Sequence, residues 1–263
     1  MGASLAPEGL PLALARVQRG LEVGALVELT VELSPDAPEV GAARLADIVT
    51  GAGFEVGGVD GSSAGRLRCR ARRARTLADS VGPRMRVLVC GLNPSLLAAD
   101  LGIPFARPGN RFWPAALAAG LASVDRDPDH ALRWHGLGMT DLVKRATPGA
   151  AELAPAEYVA GMARLERLCA WLTPEVVCFV GLAGWRAAVD GRARAGPQPS
   201  PFGGRPVYLM PNPSGRNAHA SLEVLRDHLR AVLEMSGPVL VTPPPHTDRH
   251  VVLETRANRQ PPR

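Results

Sequence analysis

The chain has 263 residues, of which 46% are hydrophobic and 21% charged, and its formal net charge is +5. This composition is ordinary for a globular protein with one large domain, or with one domain and a smaller one. No apolar run approaches the ~20 residues of a membrane-spanning helix, and no basic segment precedes the short apolar stretch near the N-terminus. We therefore expect a cytoplasmic protein without a signal peptide. Arginine far outnumbers lysine, which suits an anionic partner such as nucleic acid, although a GC-rich genome gives the same excess.

Residues 1–82 predict a small α/β or α+β segment of unknown role. Segments 27–33 and 66–72 have the composition of strands, and 43–56 indicates a helix, a turn and a strand. The segment faintly resembles the C-terminal end of a class I methyltransferase fold, but it lacks a glycine-rich cofactor loop, so we assign it no activity. Arginines alternate along 66–72 at the period of a strand and share one face, which suits either contacts with DNA phosphates or a solvated edge strand. They are Arg66, Arg68, Arg70 and Arg72.

Residues 83–236 predict a larger domain in which strands alternate with helices. Three short apolar runs, at 85–90, 176–182 and 206–210, are typical of strands buried on both faces. We therefore predict a three-layer α/β domain with a central, mainly parallel sheet. We expect the proline-containing, basic residues 237–263 to form a disordered tail. The predicted helices cover 114–121, 155–172, 184–194 and 221–235.

The four cysteines are candidates either for metal ligands or for buried apolar residues. None belongs to a C-x-x-C pair. We expect small, buried, hydrophobic side chains; the alternative is a metal site or an iron–sulfur cluster. These residues are Cys69, Cys90, Cys169 and Cys178.

Two similar loops follow the first and the third of the apolar runs. The sequence GLNPS occupies 91–95, and PNPSGRN occupies 211–217. In an open parallel sheet, ligands bind beyond the carboxyl ends of the strands, so both loops fall on the face where a site is expected. Each could be an ordinary turn between a strand and a helix, but together they predict a shared cleft.

An aromatic segment lies between these two loops. Phe105 is followed by the polar stretch 106–111, which is too polar for a core, so its ring is well placed to stack on a flat ligand. Phe112 and Trp113, by contrast, are expected to begin the next helix and to pack inward.

Four short motifs occur in order in this region: GLNPS (91–95), PGNRFW (108–113), GMTDLVKRAT (138–147) and MPNPSG (210–215). In this combination the chain resembles the mismatch-specific uracil/thymine-DNA glycosylase family of the uracil-DNA glycosylase superfamily. The resemblance implies a uracil-DNA glycosylase-like fold and a monofunctional DNA-repair glycosylase. Such an enzyme flips uracil, or thymine mispaired with guanine, out of double-stranded DNA and hydrolyses its N-glycosidic bond to leave an abasic site. We expect a monomer that needs no metal and no cofactor.

The resemblance also implies roles for particular residues. Asn93 matches the family's water-positioning asparagine and is the predicted catalytic residue. Phe105 matches the aromatic that stacks on the base, and Arg216 matches the wedge that fills the space left by the flipped nucleotide. The predicted substrate-binding residues are Gly91, Leu92, Ala98, Phe105 and Asn110, and the predicted DNA-binding residues are Asn212, Ser214, Gly215, Arg216 and Asn217.

Some features depart from the family or leave alternatives open. Ser95 stands where the family has a glycine, which leaves the conformation of the first loop open. Asp100 and Asp141 are further candidates for an acid or a base. Two other functions are a non-catalytic binder of damaged or mismatched bases and a nucleotide-binding Rossmann enzyme. The absence of a G-x-G-x-x-G motif after a strand argues against the latter.

Overall fold

The computed structural model describes residues 3–34, 40–62, 65–237 and 251–258. They divide into two compact units. The terminal unit comprises the described residues up to Asp79 together with Val251–Asn258, and the central unit runs from Ser80 to Gly237. No helix in the described ranges is long and apolar enough to cross a membrane.

The terminal unit is a five-stranded antiparallel sheet with the strand order β1-β10-β2-β4-β3. Apolar residues alternate along its strands and are buried on one face, against two helices that bury Leu14 and Ile48 among others. The strands are β1 (Ala3–Leu5), β2 (Leu26–Leu33), β3 (Phe54–Ser62), β4 (Arg66–Arg73) and β10 (Val251–Asn258), and the helices are α1 (Leu10–Arg19) and α2 (Ala42–Gly51).

The prediction of a disordered tail over 237–263 is wrong for β10, which pairs with β2 from Val251 opposite Leu33 to Asn258 opposite Leu26. Val251 and Leu253 are buried, so this strand supplies alternate side chains to the core of the unit. Residues 238–250 and 259–263 of the predicted tail lie outside the described residues. The terminal unit is thus built from both ends of the chain, and the central unit is inserted between β4 and β10 in sequence.

The arginine-rich strand β4 exposes every second side chain, as its period predicts, but it is not an edge strand because it lies between β2 and β3. Carboxylates from both neighbours accompany its arginines. Arg66 is ion-paired with Glu32 of β2, and Arg72 with Glu55 of β3. The exposed face is therefore a mixed-charge surface, which does not favour the phosphate-binding alternative for these arginines.

The central unit has the predicted α/β architecture with a mainly parallel sheet of order β6-β5-β7-β9-β8, in which only β8 is antiparallel. Successive residues of β5 point to opposite faces. Val87 and Val89 pack with α4, α5 and α8, whereas Leu88 and Cys90 pack with α6 and α7. The strands are β5 (Val87–Gly91), β6 (Leu137–Asp141), β7 (Val176–Val180), β8 (Gly196–Pro197) and β9 (Val207–Met210). The helices are α3 (Leu96–Leu101), α4 (Phe112–Ala119), α5 (Pro128–His135), α6 (Pro155–Leu172), α7 (Ala183–Ala188) and α8 (Leu222–Met235).

The observed elements differ from the predicted ones where the apolar pattern is weak. Strand β6 overlaps the start of the GMTDLVKRAT motif and was not predicted as a strand, because Gly138, Thr140 and Asp141 interrupt its apolar run. The helix predicted over 184–194 ends at Ala188, ahead of the polar turn that contains Gly191. Phe112 and Trp113 begin α4 and are buried, as expected.

All four cysteines are buried, as the apolar interpretation predicts, and none of the four forms a disulfide bond. Burial raises the pKa of Cys69 to about 11 and that of Cys169 to about 12, and it also raises the pKa of Cys178. Their thiols are therefore protonated at neutral pH and behave as small hydrophobic groups.

Candidate functional site

The loop that carries Asn93 lies beside the segment that follows β6, because β5 and β6 are parallel neighbours. Their backbone pairing continues beyond both strands. The amide of Leu142 donates to the carbonyl oxygen of Gly91 (2.9 Å), and the amide of Thr147 donates to that of Pro94 (3.1 Å). The first and third sequence motifs are therefore brought together at the carboxyl end of the sheet, where a ligand site is expected.

The side-chain amide of Asn93 is held in one orientation. Its Nδ2 donates to Thr147 Oγ1 (2.8 Å), to the carbonyl oxygen of Arg145 (3.1 Å) and, more weakly, to that of Pro94 (3.3 Å). Carbonyl oxygens only accept hydrogen bonds, so the nitrogen must face them and the amide cannot be flipped. Thr147 Oγ1 in turn donates to the carbonyl oxygen of Gly149 (2.8 Å). Within the described ranges, Asn93 Oδ1 accepts no hydrogen bond, so it is available to a water or a ligand.

The turn that supplies the Arg145 carbonyl is anchored by its own side chain. Arg145 Nε and Nη2 each donate to a carboxylate oxygen of Glu157 at 2.8 Å, and Nη2 also donates to the carbonyl oxygen of Glu152 (2.7 Å). Glu157 additionally accepts from the amide of Ala154 at the start of α6. These hydrogen bonds, that of Arg145 foremost, lower the pKa of Glu157 to about 2. The carboxylate is therefore ionised at neutral pH and holds the turn.

Phe105 occupies an unusual backbone conformation next to a packed aromatic pair. Its φ is +56°, which a residue with a Cβ adopts at a cost of roughly 1 kcal/mol. The half-buried ring stacks on Phe112 with centroids 4.2 Å apart and planes 24° apart, and Phe112 meets Trp113 edge-on. Trp113 Nε1 donates to the carbonyl oxygen of Pro104 (2.8 Å), which fixes the residue before Phe105. The surrounding contacts thus hold the Phe105 ring in place.

Gly91, Asp141 and Phe105 meet at one point. A Cβ on Gly91 would lie 2.5 Å from Asp141 Oδ1 and 3.7 Å from Phe105 Cζ, so only glycine fits there without displacing the carboxylate. Asp141 is buried, and the buried Arg164 donates from Nη2 to its backbone oxygen (2.9 Å). Of the two candidate carboxylates, Asp141 is therefore in contact with the site, whereas Asp100 is exposed on α3.

Ser95 and Ala98 begin α3. The Ser95 hydroxyl accepts a hydrogen bond from the amide of Ala98 (3.2 Å), and its φ of −73° is accessible to every residue. Serine therefore caps the helix, and the loop does not depend on a glycine at this position. Ala98 is almost fully buried. Its place beside a base stays a prediction.

Two of the predicted substrate-binding side chains make contacts within the protein. Asn110 Oδ1 accepts from the amide of Phe112 (2.9 Å) and so caps the first turn of α4. The Leu92 side chain packs close to Gly184 of α7 and with the core on that face of the sheet. Any contact of Leu92 with a ligand would therefore come from its backbone.

The 211–217 loop is folded by its own side chains. Asn212 Oδ1 accepts from the amide of Ser214 (3.0 Å), and Ser214 Oγ accepts from the amide of Arg216 (3.3 Å). Asn217 Nδ2 closes the loop by donating to the carbonyl oxygen of Asn212 (2.9 Å). The Arg216 side chain is exposed and makes no hydrogen bond or ion pair with any described residue. Its charge is therefore available to an external anion.

The 211–217 loop also contacts the aromatic segment. The amide of Arg111 donates to the carbonyl oxygen of Pro213 (2.9 Å). A Cβ on Gly215 would lie 2.7 Å from the carbonyl oxygen of Gly109, so the two backbones touch. The Asn93 loop, the Phe105 segment and the 211–217 loop are thus neighbours that contact one another. Thr147 and Arg145 belong to the GMTDLVKRAT motif, but no local pattern indicates that they hold Asn93.

Comparison with known proteins identifies the region that contains this site. The family model of the Uracil DNA glycosylase superfamily matches residues 78–234. A solution NMR structure of a protein from Methanosarcina acetivorans, provisionally described as a uracil DNA glycosylase, is 17% identical in sequence. It covers 61% of this chain and 97% of its own, with a TM-score of 0.42.

Proposed function

Because the chain belongs to the uracil DNA glycosylase superfamily, we propose that its central unit hydrolyses the N-glycosidic bond of uracil, or of thymine mispaired with guanine, in double-stranded DNA. The observation that carries this proposal is the fixed amide of Asn93, whose Nδ2 is bound by three acceptors and whose Oδ1 is left open. An open carbonyl oxygen accepts a hydrogen bond from a water and so aims that water at the sugar carbon of an extruded nucleotide.

The target base must leave the duplex before this chemistry can occur. Extrusion costs a few kcal/mol and costs least for a mismatched base, which favours the wobble pairs of uracil or thymine with guanine. Phe105 supplies the surface on which the extruded pyrimidine stacks, with Phe112 as the packed ring behind it. Gly91 lies beside the Phe105 ring edge, and its lack of a side chain lets the Asp141 carboxylate approach the same place.

Bond cleavage proceeds through an oxocarbenium-like sugar and a departing pyrimidine anion. Asn93 orients the water but cannot take its proton, because an amide is not a base. The proton passes to the departing pyrimidine anion, directly or through solvent. Backbone amides of the 91–95 loop are the donors that would stabilise the charge developing on the leaving base. We therefore propose a slow enzyme whose rate depends strongly on leaving-group quality.

The 211–217 loop is proposed to grip the damaged strand. Arg216 is an exposed cation with no ion-pair partner among the described residues, in a loop that is cross-linked by its own hydrogen bonds. It fills the space left by the flipped nucleotide and donates to the unpaired guanine. Ser214, Gly215 and the two loop asparagines contact phosphates, which gives position without sequence information.

The experiment is cleavage of a labelled duplex with one target pair, followed by alkali to break the strand at the abasic site. We expect product from G·U and, more slowly, from G·T, with none from G·C. Equimolar protein that gives no product from any deaminated or mismatched pair over hours would refute the proposed activity. Specific binding without cleavage would instead support the non-catalytic alternative.

A further inference from the structure

One arginine joins the aromatic segment to the loop that carries Arg216. Arg111 is the residue immediately before α4, and its Nη2 donates to the carbonyl oxygens of Ser214 (2.8 Å) and Asn217 (2.6 Å). These two acceptors stand on either side of the dipeptide Gly215–Arg216. A single guanidinium nitrogen therefore clamps the backbone before and after the exposed Arg216 side chain.

The chemistry of this contact suits a fixed clamp. A guanidinium is planar, stays protonated and forms hydrogen bonds that are stronger than those of neutral donors. Arg111 Nε is buried and makes no hydrogen bond within the part of the chain that the structure describes. The carbonyl oxygens of Ser214 and Asn217 are thus the polar partners of this side chain. The positive charge of Arg111 therefore lies next to the 211–217 loop, which is proposed to bind phosphates.

A second, close contact joins the backbones of Gly109 and Gly215 at the same place. The carbonyl oxygen of Gly109 and the Cα of Gly215 are so close that a Cβ on Gly215 would come within 2.7 Å of that oxygen. The backbone amide of Arg111 bonds to Pro213 on the other side of the contact. The two segments therefore meet through backbone as well as through the Arg111 side chain, and neither can shift alone.

We propose that Arg111 is a positioning residue, which holds the 211–217 loop against the Phe105 segment. The inference rests on the proposed function: insertion of Arg216 into the duplex and stacking of the base on Phe105 then occur within one rigid frame. Arg111 acts through Arg216 and needs no contact with DNA. Displacement of a site group by about 1 Å is enough to reduce a rate a hundredfold, so loosening this clamp impairs base flipping.

The test uses the full chain and duplexes in which 2-aminopurine, which fluoresces more strongly when unstacked, neighbours the target uracil. Arg111→Met removes the donors but keeps an unbranched side chain. Arg192→Met, on an exposed loop after α7, is the control for the loss of one positive charge. We expect Arg111→Met to reduce the flipping signal and the single-turnover rate about tenfold or more, and to change the affinity for undamaged duplex less than about threefold. Arg192→Met should match the wild type in flipping signal, in single-turnover rate and in affinity for undamaged duplex.

A double-mutant cycle separates positioning from a general structural effect. If Arg111 acts through the loop, adding Arg111→Met to Arg216→Ala causes little further loss of flipping. Additive losses, or normal flipping by Arg111→Met, would overturn the proposal. Gly215→Ala tests the same frame without changing charge, and should give the same flipping defect even if Arg111→Met does not fold.

The outcomes for Arg111 and for the proposed function can be told apart. Wild-type cleavage of G·U tests the function alone. The role of Arg111 is then tested by the flipping signal and by the double-mutant cycle, both measured with the same protein preparations. A wild type that flips the base without cleaving it would end the glycosylase proposal and leave the Arg111 inference standing.

Discussion

Replacing Thr147 by valine removes the hydroxyl that holds the Asn93 amide while keeping the shape of the side chain. Asn93 Nδ2 then loses its shortest contact, at 2.8 Å, and keeps the carbonyl oxygens of Arg145 and Pro94 at 3.1 and 3.3 Å. A hydrogen bond between neutral groups contributes about 0.5–1.5 kcal/mol, and about 1.4 kcal/mol corresponds to a tenfold rate change. We therefore expect Thr147→Val to lower the single-turnover rate on G·U duplex roughly three- to tenfold.

The assay compares this rate with the dissociation constant of the same duplex, which should stay within about twofold because Thr147 is buried and its hydroxyl bonds to Asn93 and to the backbone of Gly149. Thr147→Ser retains the hydroxyl and should restore most of the rate. In an Asn93→Ala background the valine substitution should have no further effect. A rate loss of the same size in that background would show that Thr147 acts on the fold and not through the Asn93 amide.

Three further results are expected. Gly91→Ala places a Cβ against the buried Asp141 carboxylate and should lower the free energy of unfolding by about 1–3 kcal/mol with loss of activity, whereas Gly149→Ala, with open space around it, should be neutral in thermal unfolding. Burial lowers the pKa of His228, whose Nδ1 is bonded to the Tyr208 hydroxyl (2.7 Å), so folding favours the neutral ring. The contribution of the neutral His228 ring to the free energy of unfolding should be fully present above pH 6.5, the usual histidine pKa, and should be lost as the pH falls below it. In urea titrations, His228→Phe should reduce this dependence of stability on pH. Leu253→Asp puts a charge into the core of the terminal unit and should lower its unfolding temperature; unchanged melting would contradict the assignment of β10.

The fold of the central unit could be predicted where strands are continuous and apolar. Val176–Val180 and Val207–Met210 follow from their composition alone, because a strand buried on both faces has no polar alternation. Strand Leu137–Asp141 could not be found in this way, since it ends in the polar residues Thr140 and Asp141. Its place beside β5 depends on long-range pairing, which no local pattern encodes.

In the terminal unit, too, some strands could be predicted from local patterns but their pairing could not. The alternation of arginines predicted a strand correctly, but whether that strand lies at an edge depends on its partners. Strand β10 pairs with β2, although the whole central unit lies between the two strands in sequence. A short run, Val251 to Leu253, after prolines gives no local signal of such pairing.

In the candidate site, the motifs predicted which loops come together, but not what fixes each side chain. Asn93 and Thr147 are 54 positions apart, and their contact arises only because β5 and β6 are parallel neighbours. Asn110 belongs to the PGNRFW motif, and its side-chain Oδ1 caps the first turn of α4. Side-chain partners of this kind require coordinates, because many residues in a loop could satisfy the same donor.

The most direct test of the central claim is the single-turnover cleavage of a G·U duplex by Asn93→Ala, measured beside Gln198→Ala. The latter removes a side-chain amide bonded only within its own loop. We predict that Asn93→Ala loses cleavage while its affinity for the duplex remains, and that Gln198→Ala cleaves at the wild-type rate. Wild-type cleavage by Asn93→Ala would contradict the account.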